Sequence, residues 1–536
     1  MGLLRLRSIW RDIAILLMIS VIAYGMSRLF GLGIGVGFLI LGIAIYFVKD
    51  YINWWSPQVY QVLILIFILA IGIYIAQMIS NSKYWVINIL VGGIYLAILF
   101  KKPEFILLIS ATLIPNMFSL IPYEVIQIKG MFKIRDLLLM TILILAVMKV
   151  LIQHDNLKSI FGNISAYTIL GFCSIILLFV ISTCIRHSHP LFLSFRIARD
   201  YFYFLFFFAT VCCIKNRRQL NFVIKGMVLL SIIFAVMYIT QALSGGALHL
   251  FPAYEEMKQS IMLGVPLSRS YISCGFTEAI CFGLIGLVGI VGNKKLKLIG
   301  AIGAVLLLGE IFFTFGRTLW YKTVVIVLLI FLFLPRDKKK IFGLQFILLI
   351  FGFIVFMIFI GMLRYGTGQL MLKGLIERAG LGFTDIAQQS GTFGYRLHAF
   401  MWYYYTVIQK NIWFGLGFVY PGTEITKTIP YSTVIWADNP LASILNCMGI
   451  VGLTFYVLLY VVFVWRGFYI LNRLNTPAYR GFVIGFIAWY IGGWMGIFTS
   501  GEMIVYDLIT IKALCVGLTE CMYRIEKGNS DYSNAL

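Results

Sequence analysis

Asp438 and Asn439 stand immediately before Pro440 and an apolar run, and Arg396 precedes them in the same long polar stretch, 364–439. A carboxylate at the mouth of a cavity can take the proton of a substrate hydroxyl if it lies within hydrogen-bond reach, and the neighbouring amide can orient either partner. That chemistry makes Asp438 a candidate general base and Asn439 its helper. The same pair also reads as a helix start, because Asp or Asn before Pro is a favoured cap. More arginines recur at helix ends: Arg196 and Arg199 in Ser194-Phe-Arg-Ile-Ala-Arg-Asp200, Arg269 after Ser268, and Arg317 in Thr314-Phe-Gly-Arg-Thr. Guanidinium forks make bidentate, permanently charged bonds to phosphate oxygens, so convergent arginines suit an anionic ligand such as a diphosphate. The alternative is that they snorkel to headgroups or pair with Asp200, Glu278 or Glu310. Glu310 lies seven residues before Arg317, two turns of a continuous helix, which would place both on one face.

Other polar features carry weaker signals. His187-Ser-His189 offers two metal ligands without a carboxylate, a pattern that fits an interfacial loop better than a metal site. His398 lies two residues past Arg396 and falls on another helix face, as a further candidate for contact with substrate. Trp402 and the run Tyr403–Tyr405 suit either stacking on sugars or an interfacial amphipathic helix. The nine cysteines sit in or beside apolar runs without C-x-x-C pairs, and read as small core residues rather than a disulfide framework or a metal site. The run Gly31-Leu-Gly-Ile-Gly-Val-Gly37 lacks a following Lys-Ser or Lys-Thr, so close helix packing explains it better than a phosphate loop.

The elements that must hold these residues are membrane helices. The chain is 61% hydrophobic and 12% charged, with many apolar runs of about 20 residues, the length that crosses a bilayer. The expected class is an all-α polytopic membrane protein with about 14 to 16 spans. Expected helices lie near 12–29, 31–48, 58–80, 84–100, 104–121, 135–153, 165–185, 197–214, 220–243, 274–292, 297–315, 319–334, 341–363, 440–465, 480–499 and 504–523. The net charge of +22 arises from Lys and Arg in short loops between these runs, the positive-inside pattern, which argues against a nucleic-acid partner. With the amino terminus cytoplasmic, the clusters at Lys101-Lys102, 215–218, 294–297, 336–340 and 466–480 all fall on the cytoplasmic side. No small-residue cleavage site follows the first apolar run, so that run is expected to act as its own insertion signal. The organisation is then 1–189, amino-terminal helices; 190–363, a membrane core carrying outward arginines; 364–439, an outward loop with short helices; 440–523, carboxy-terminal helices; and 524–536, a cytoplasmic tail.

The string Arg396…Trp402…Phe414-Gly-Leu-Gly417…Asp438-Asn-Pro-Leu…Gly449-Ile-Val-Gly452 resembles the outward loop and following helix of the O-antigen ligase and polymerase superfamily. Arg269-Ser-Tyr-Ile-Ser-Cys-Gly275-Phe and Phe313-Thr-Phe-Gly-Arg317 are similar to two earlier family segments, and the resemblance covers roughly 190–500. It implies a GT-C-like architecture and an inverting, metal- and cofactor-independent glycosyltransferase in the bacterial inner membrane. Donor and acceptor would be undecaprenyl-diphosphate-linked glycans, with the chain-length regulator and flippase of the same pathway as partners. Arg269, Arg317 and Arg396 would bind the diphosphate, and Asp438 would stand where the family usually has histidine. That departure favours a polymerase over a ligase that transfers finished glycan. A lipid-linked glycan transporter is the rival from another class, since it too needs many helices and a basic cavity.

Overall fold

A computed structural model describes residues 102–117, 127–128, 132–152, 162–243, 250, 257–262, 265–269, 275–314, 316–365, 380, 388, 391–420, 439–498 and 504–533. Two compact units divide the chain, Met1–Ile106 and Leu107–Leu536. The four spans expected before residue 101 lie outside the described residues, as do Lys101, Asp438 and the side chains of Arg269 and Arg317.

Helices dominate the described residues, in the order α1 (Pro103–Leu113), α2 (Ile134–Ile152), α3 (Ile164–His187), α4 (Leu191–Ala198), α5 (Phe206–Cys213), α6 (Arg217–Leu243), α7 (Gly275–Ile290), α8 (Lys294–Phe313), α9 (Arg317–Phe333), α10 (Arg336–Tyr365), α11 (Gly391–Tyr403), α12 (Pro440–Leu471), α13 (Pro477–Gly493) and α14 (Tyr506–Ser533). Two antiparallel hairpins interrupt the helical order. One pairs β1 (Gln127–Ile128) with β2 (Phe132–Lys133), and the other pairs β3 (Met257–Met262) with β4 (Val265–Arg269), inside a stretch expected to be plain loop. Among the described residues, five segments are long and apolar enough to cross a membrane: Ile164–His187, Arg217–Ala242, Lys294–Phe313, Pro440–Leu471 and Pro477–Ile497. The protein is therefore a helical, multi-pass membrane protein.

Local chemistry sets the boundaries. Asn163 caps α3 by accepting the N–H of Ala166 at 2.8 Å, and Asn293 caps α8 through Lys295 and Leu296. Proline opens α12 and α13, where its fixed φ costs nothing and the missing N–H would be unpaired anyway. Four expectations are corrected. The helix near 504–523 runs on to Ser533, through most of the expected tail 524–536. The helix near 104–121 ends at Leu113. The helix near 197–214 is divided by a 3-10 stretch, Arg199–Leu205. The helix starting at 440 is broken at Gly449, where φ is 62° and ψ −161°.

At the centre lies α7, buried along its whole length. It meets α13 backbone to backbone: a Cβ added at Gly286 would stand 2.2 Å from the carbonyl oxygen of Gly481, and one at Gly485 would meet that of Phe282 at 2.2 Å. Small residues at such a crossing let dispersion act between main chains, the usual way helices associate in lipid.

The described connecting loops gather at two ends of the bundle. At one end Arg524 donates to the carbonyls of Val211 and Ile214, Glu526 accepts the N–H groups of Asn475 and Thr476, Tyr479 bonds Asn221, and Phe333 meets Phe468 edge-on at 4.9 Å. These contacts gather the loops around 214–216, 334–335 and 472–476, where the basic clusters lie. The opposite end carries the segment 391–420 and the chain around 188–190. The clusters at 215–218, 336–340 and 466–480 thus lie at one end of the bundle.

Candidate functional site

The segment 391–420 is stitched into the membrane helix that follows it. At the break in α12 the carbonyl of Asn446 accepts the N–H of Leu416 at 2.6 Å and of Gly417 at 3.4 Å. Below it, Ile450 and Val451 donate to the carbonyls of Ile412 and Trp413, at 2.8 and 3.1 Å. Backbone groups that a continuous helix would pair internally are thus satisfied by the loop, the condition for irregular backbone among membrane helices. Three glycines make the approach possible. Gly415, Gly417 and Gly449 have φ of 66°, 106° and 62°, and a Cβ at Gly415 or Gly449 would lie 2.4 Å from the Asn446 oxygen or 2.3 Å from the Trp413 oxygen. The Gly-x-Gly and the first glycine of Gly-x-x-Gly, read from sequence as family signatures, are the parts of this latch.

The carboxyl end of α3 grips the same loop. Thr183 Oγ1 accepts the N–H of Phe418 at 3.0 Å, Arg186 donates to the carbonyl of Gly415 at 3.1 Å, and His187 Nε2 donates to the carbonyl of Leu416 at 2.8 Å. His189 Nε2 accepts the N–H of Tyr420 at 3.2 Å, so its proton resides on Nδ1, which faces Ser194 Oγ at 3.0 Å. Burial lowers the His189 pKa below its ordinary value, the Pro190 carbonyl opposes this, and nearby His187 adds to the lowering. Both histidines serve as loop clamps, and among the described residues no group of three metal-ligating side chains forms.

The arginines divide. Arg199 reaches Asp136 at 3.2 Å and Asp200 at 3.5 Å, Arg135 lies 3.6 Å from Asp200, and the Tyr203 hydroxyl donates to Asp136 at 2.6 Å. The pairing with Asp200 weighed for Arg199 is present, joined by a carboxylate from α2. Arg196 stacks over the Tyr420 ring at 4.8 Å, which ties α4 to the insertion. Arg396 is half-buried on α11, and His398 on the same helix is exposed. Further along that stretch Phe400, Tyr404 and Ile408 pack on Ala442 and Leu445 of α12. Trp402, 38% exposed, points to a different side.

Asn439 is the N-cap of α12, its Oδ1 accepting the N–H of Ala442 at 3.1 Å. The capping role weighed for the Asp438-Asn439 pair therefore belongs to Asn439. Arg269 ends β4, its backbone opposite Met257, and Arg317 opens α9 behind the N-cap Gly316. Glu310 is fully buried in α8. The chain turns at Thr314–Gly316 between the two helices, where Thr314 Oγ1 accepts the Gly316 N–H at 3.2 Å. The helical spacing that related Glu310 to Arg317 does not run through this turn, which a seven-residue count cannot register.

Sequence reasoning missed an interior polar layer. Glu278 on α7 pairs with Lys322 on α9 at 2.5 Å and accepts the Trp489 indole N–H at 2.9 Å. The next residue of α13, Tyr490, donates to the carbonyl of Lys512, whose Nζ donates to Tyr460 at 2.8 Å; Tyr460 in turn lies 3.4 Å from the Tyr456 hydroxyl. Lys322 and Lys512 are each 2% exposed. A lysine inside an apolar run was the available signal, because such a charge is costly in a membrane helix and needs a partner.

Compared with models of known protein families and with characterised proteins, the chain matches none.

Proposed function

We propose that the protein is a membrane glycosyltransferase that polymerises oligosaccharide repeats carried on undecaprenyl diphosphate, acting at the outer leaflet of a bacterial inner membrane with a GT-C-like helical body. The observation that supports this reading most is the latch. The described residues 396–420, which carry the first part of the family-like string, are held against helix α12, so Arg396 and the start of α12 belong to adjacent packed elements. In this reading Asp438 takes the proton of the acceptor sugar hydroxyl, whose oxygen attacks the anomeric carbon of the donor. The bond to the lipid diphosphate breaks with inversion, and Arg269, Arg317 and Arg396 hold the charge that grows on the leaving group. Asn439, as cap, fixes the chain direction beside Asp438. Arg196 and Arg199 shape the same end of the bundle through Tyr420, Asp136 and Asp200.

The test is to incubate the purified protein in lipid with undecaprenyl-diphosphate-linked repeats and excess chelator and to resolve products by size. A ladder of added repeats is expected. Unchanged substrate would sink the polymerase reading. A single transfer to an added acceptor would mark a ligase instead. The interior Glu278–Lys322 pair favours the transporter as second reading, since charges inside membrane helices mark substrate and ion pathways; movement of intact lipid-linked glycan between leaflets of a vesicle would establish it.

A further inference from the structure

The latch has a depth. As a single rod, α12 has 32 residues and would measure about 48 Å, far more than the ~30 Å hydrocarbon layer. Its portion after the break, 450–471, measures about 33 Å and suffices alone. A side-chain pair fixes its level: Arg466 bonds Glu520 in bidentate fashion at 2.8 and 2.9 Å. Arg466 lies about 24 Å along the helix from Ile450, and Glu520 about 21 Å from Tyr506 where α14 begins. The break and the start of α14 are therefore level, at the boundary of the membrane-spanning layer. Trp413, whose carbonyl is bonded by Val451, is held at that boundary.

The side chains there are apolar and uncovered. Trp413 is 63% and Phe414 58% exposed. On the span itself Leu458, Val461 and Trp465 are exposed as well. Met401, Trp402 and Tyr405 add a second exposed set on α11 and the turn after it, on a side other than that of Phe400, Tyr404 and Ile408. A soluble loop would carry a solvated face here, whereas aromatic side chains with apolar bodies and polar tips are what the headgroup boundary selects.

We infer that Met401, Trp402, Tyr405, Trp413 and Phe414 form a foot by which the insertion rests in the interfacial layer of the bilayer, with phospholipid acyl ends and glycerol backbones as its partner. The segment 391–420 is then an interfacial element rather than a freely hydrated loop. Trp402, weighed from sequence as either a sugar-stacking residue or part of an interfacial amphipathic helix, belongs to this lipid contact.

The experiment reconstitutes the full chain in phosphatidylcholine vesicles and compares tryptophan emission with that of Trp413→Phe, so that the difference spectrum reports Trp413. A second variant, Tyr405→Trp, adds a reporter in a chain whose latch is untouched. Expected is that both reporters lose most of their intensity in lipid brominated near the headgroup end of its acyl chains, lose less in lipid brominated near the chain termini, and are spared by aqueous iodide. Quenching of both by iodide with no effect of either brominated lipid would overturn the inference, and so would protection from iodide by added oligosaccharide in place of lipid quenching.

Discussion

The N–H of Leu416 meets the carbonyl of Asn446 at 2.6 Å, a bond between an inserted loop and a broken membrane helix that only glycine backbone on either side permits. A side chain at Gly449 has to displace the Trp413 carbonyl and accept a left-handed φ, and strain of that kind costs about 1–3 kcal/mol before any clash. Gly449→Val and Gly415→Val are expected to lower the thermal stability of the purified protein steeply or abolish its folded yield. Gly171→Ala is the control, since Gly171 lies within α3 with nothing within 4 Å of an added Cβ; there a gain of about 0.5–1 kcal/mol is expected. Equal tolerance at all three positions would remove the latch.

Breaking the pair between Lys322 and Glu278 strands a carboxylate in the interior. Lys322→Met is expected to destabilise by about 3–5 kcal/mol, because the remaining charge is buried without its cation. The double variant Glu278→Gln, Lys322→Met removes both charges and is expected to recover most of that loss. A double-mutant cycle in denaturant or thermal unfolding checks this, and additive losses would mean that the two side chains do not act as a pair.

Much of the helical plan is legible in the chain. Apolar runs, caps such as Asn163 and Asn293, and prolines at 440 and 477 mark helices to within a few residues, because lipid requires each span to satisfy its own backbone. What escapes is every feature that depends on a distant partner. The break at Gly449 looks like helix because the run around it is apolar, and only the backbone of 412–417 makes a break tolerable there. Arg199 looks available for a ligand until Asp136, far away in the chain, is brought beside it. Lys322 reads as one more interruption of an apolar run until Glu278 faces it. For the candidate site, the glycines were legible as a pattern but not as a latch, since their reason is a contact and not a local preference.

Acid should loosen the grip of α3 on the loop. His189 accepts the Tyr420 N–H and can do so only when neutral, and its folded pKa is lowered relative to an unfolded value of about 6.5. The unfolded state therefore binds the proton more readily. Stability from this group is fully present above about pH 6.5 and is lost as pH falls through the lowered folded value. His189→Gln keeps an acceptor near the Nε2 position without a titratable group. The wild type is expected to lose more thermal stability than this variant between about pH 7.5 and 5, with faster amide exchange at Tyr420; parallel pH profiles would show that His189 does not titrate in that range.

Asp438 can be tested apart from its neighbour because the capping role already belongs to Asn439, which accepts the N–H of Ala442. Asp438→Asn keeps size, polarity and turn preference but removes the basic oxygen. If Asp438 deprotonates the acceptor hydroxyl, turnover of lipid-linked repeats should fall by about 10²–10⁴-fold, the usual worth of a general base, while thermal stability and substrate binding change little. A purely structural Asp438 predicts the opposite, since Asn serves a helix start as well as Asp does. The arginines provide the matching test on the leaving-group side. Arg317→Lys and Arg396→Lys retain charge but lose the planar fork, so a diphosphate held in bidentate fashion should be turned over more slowly in both. Normal turnover in Asp438→Asn together with normal turnover in both lysine variants would leave the glycosyl-transfer reading without a base and without a phosphate grip.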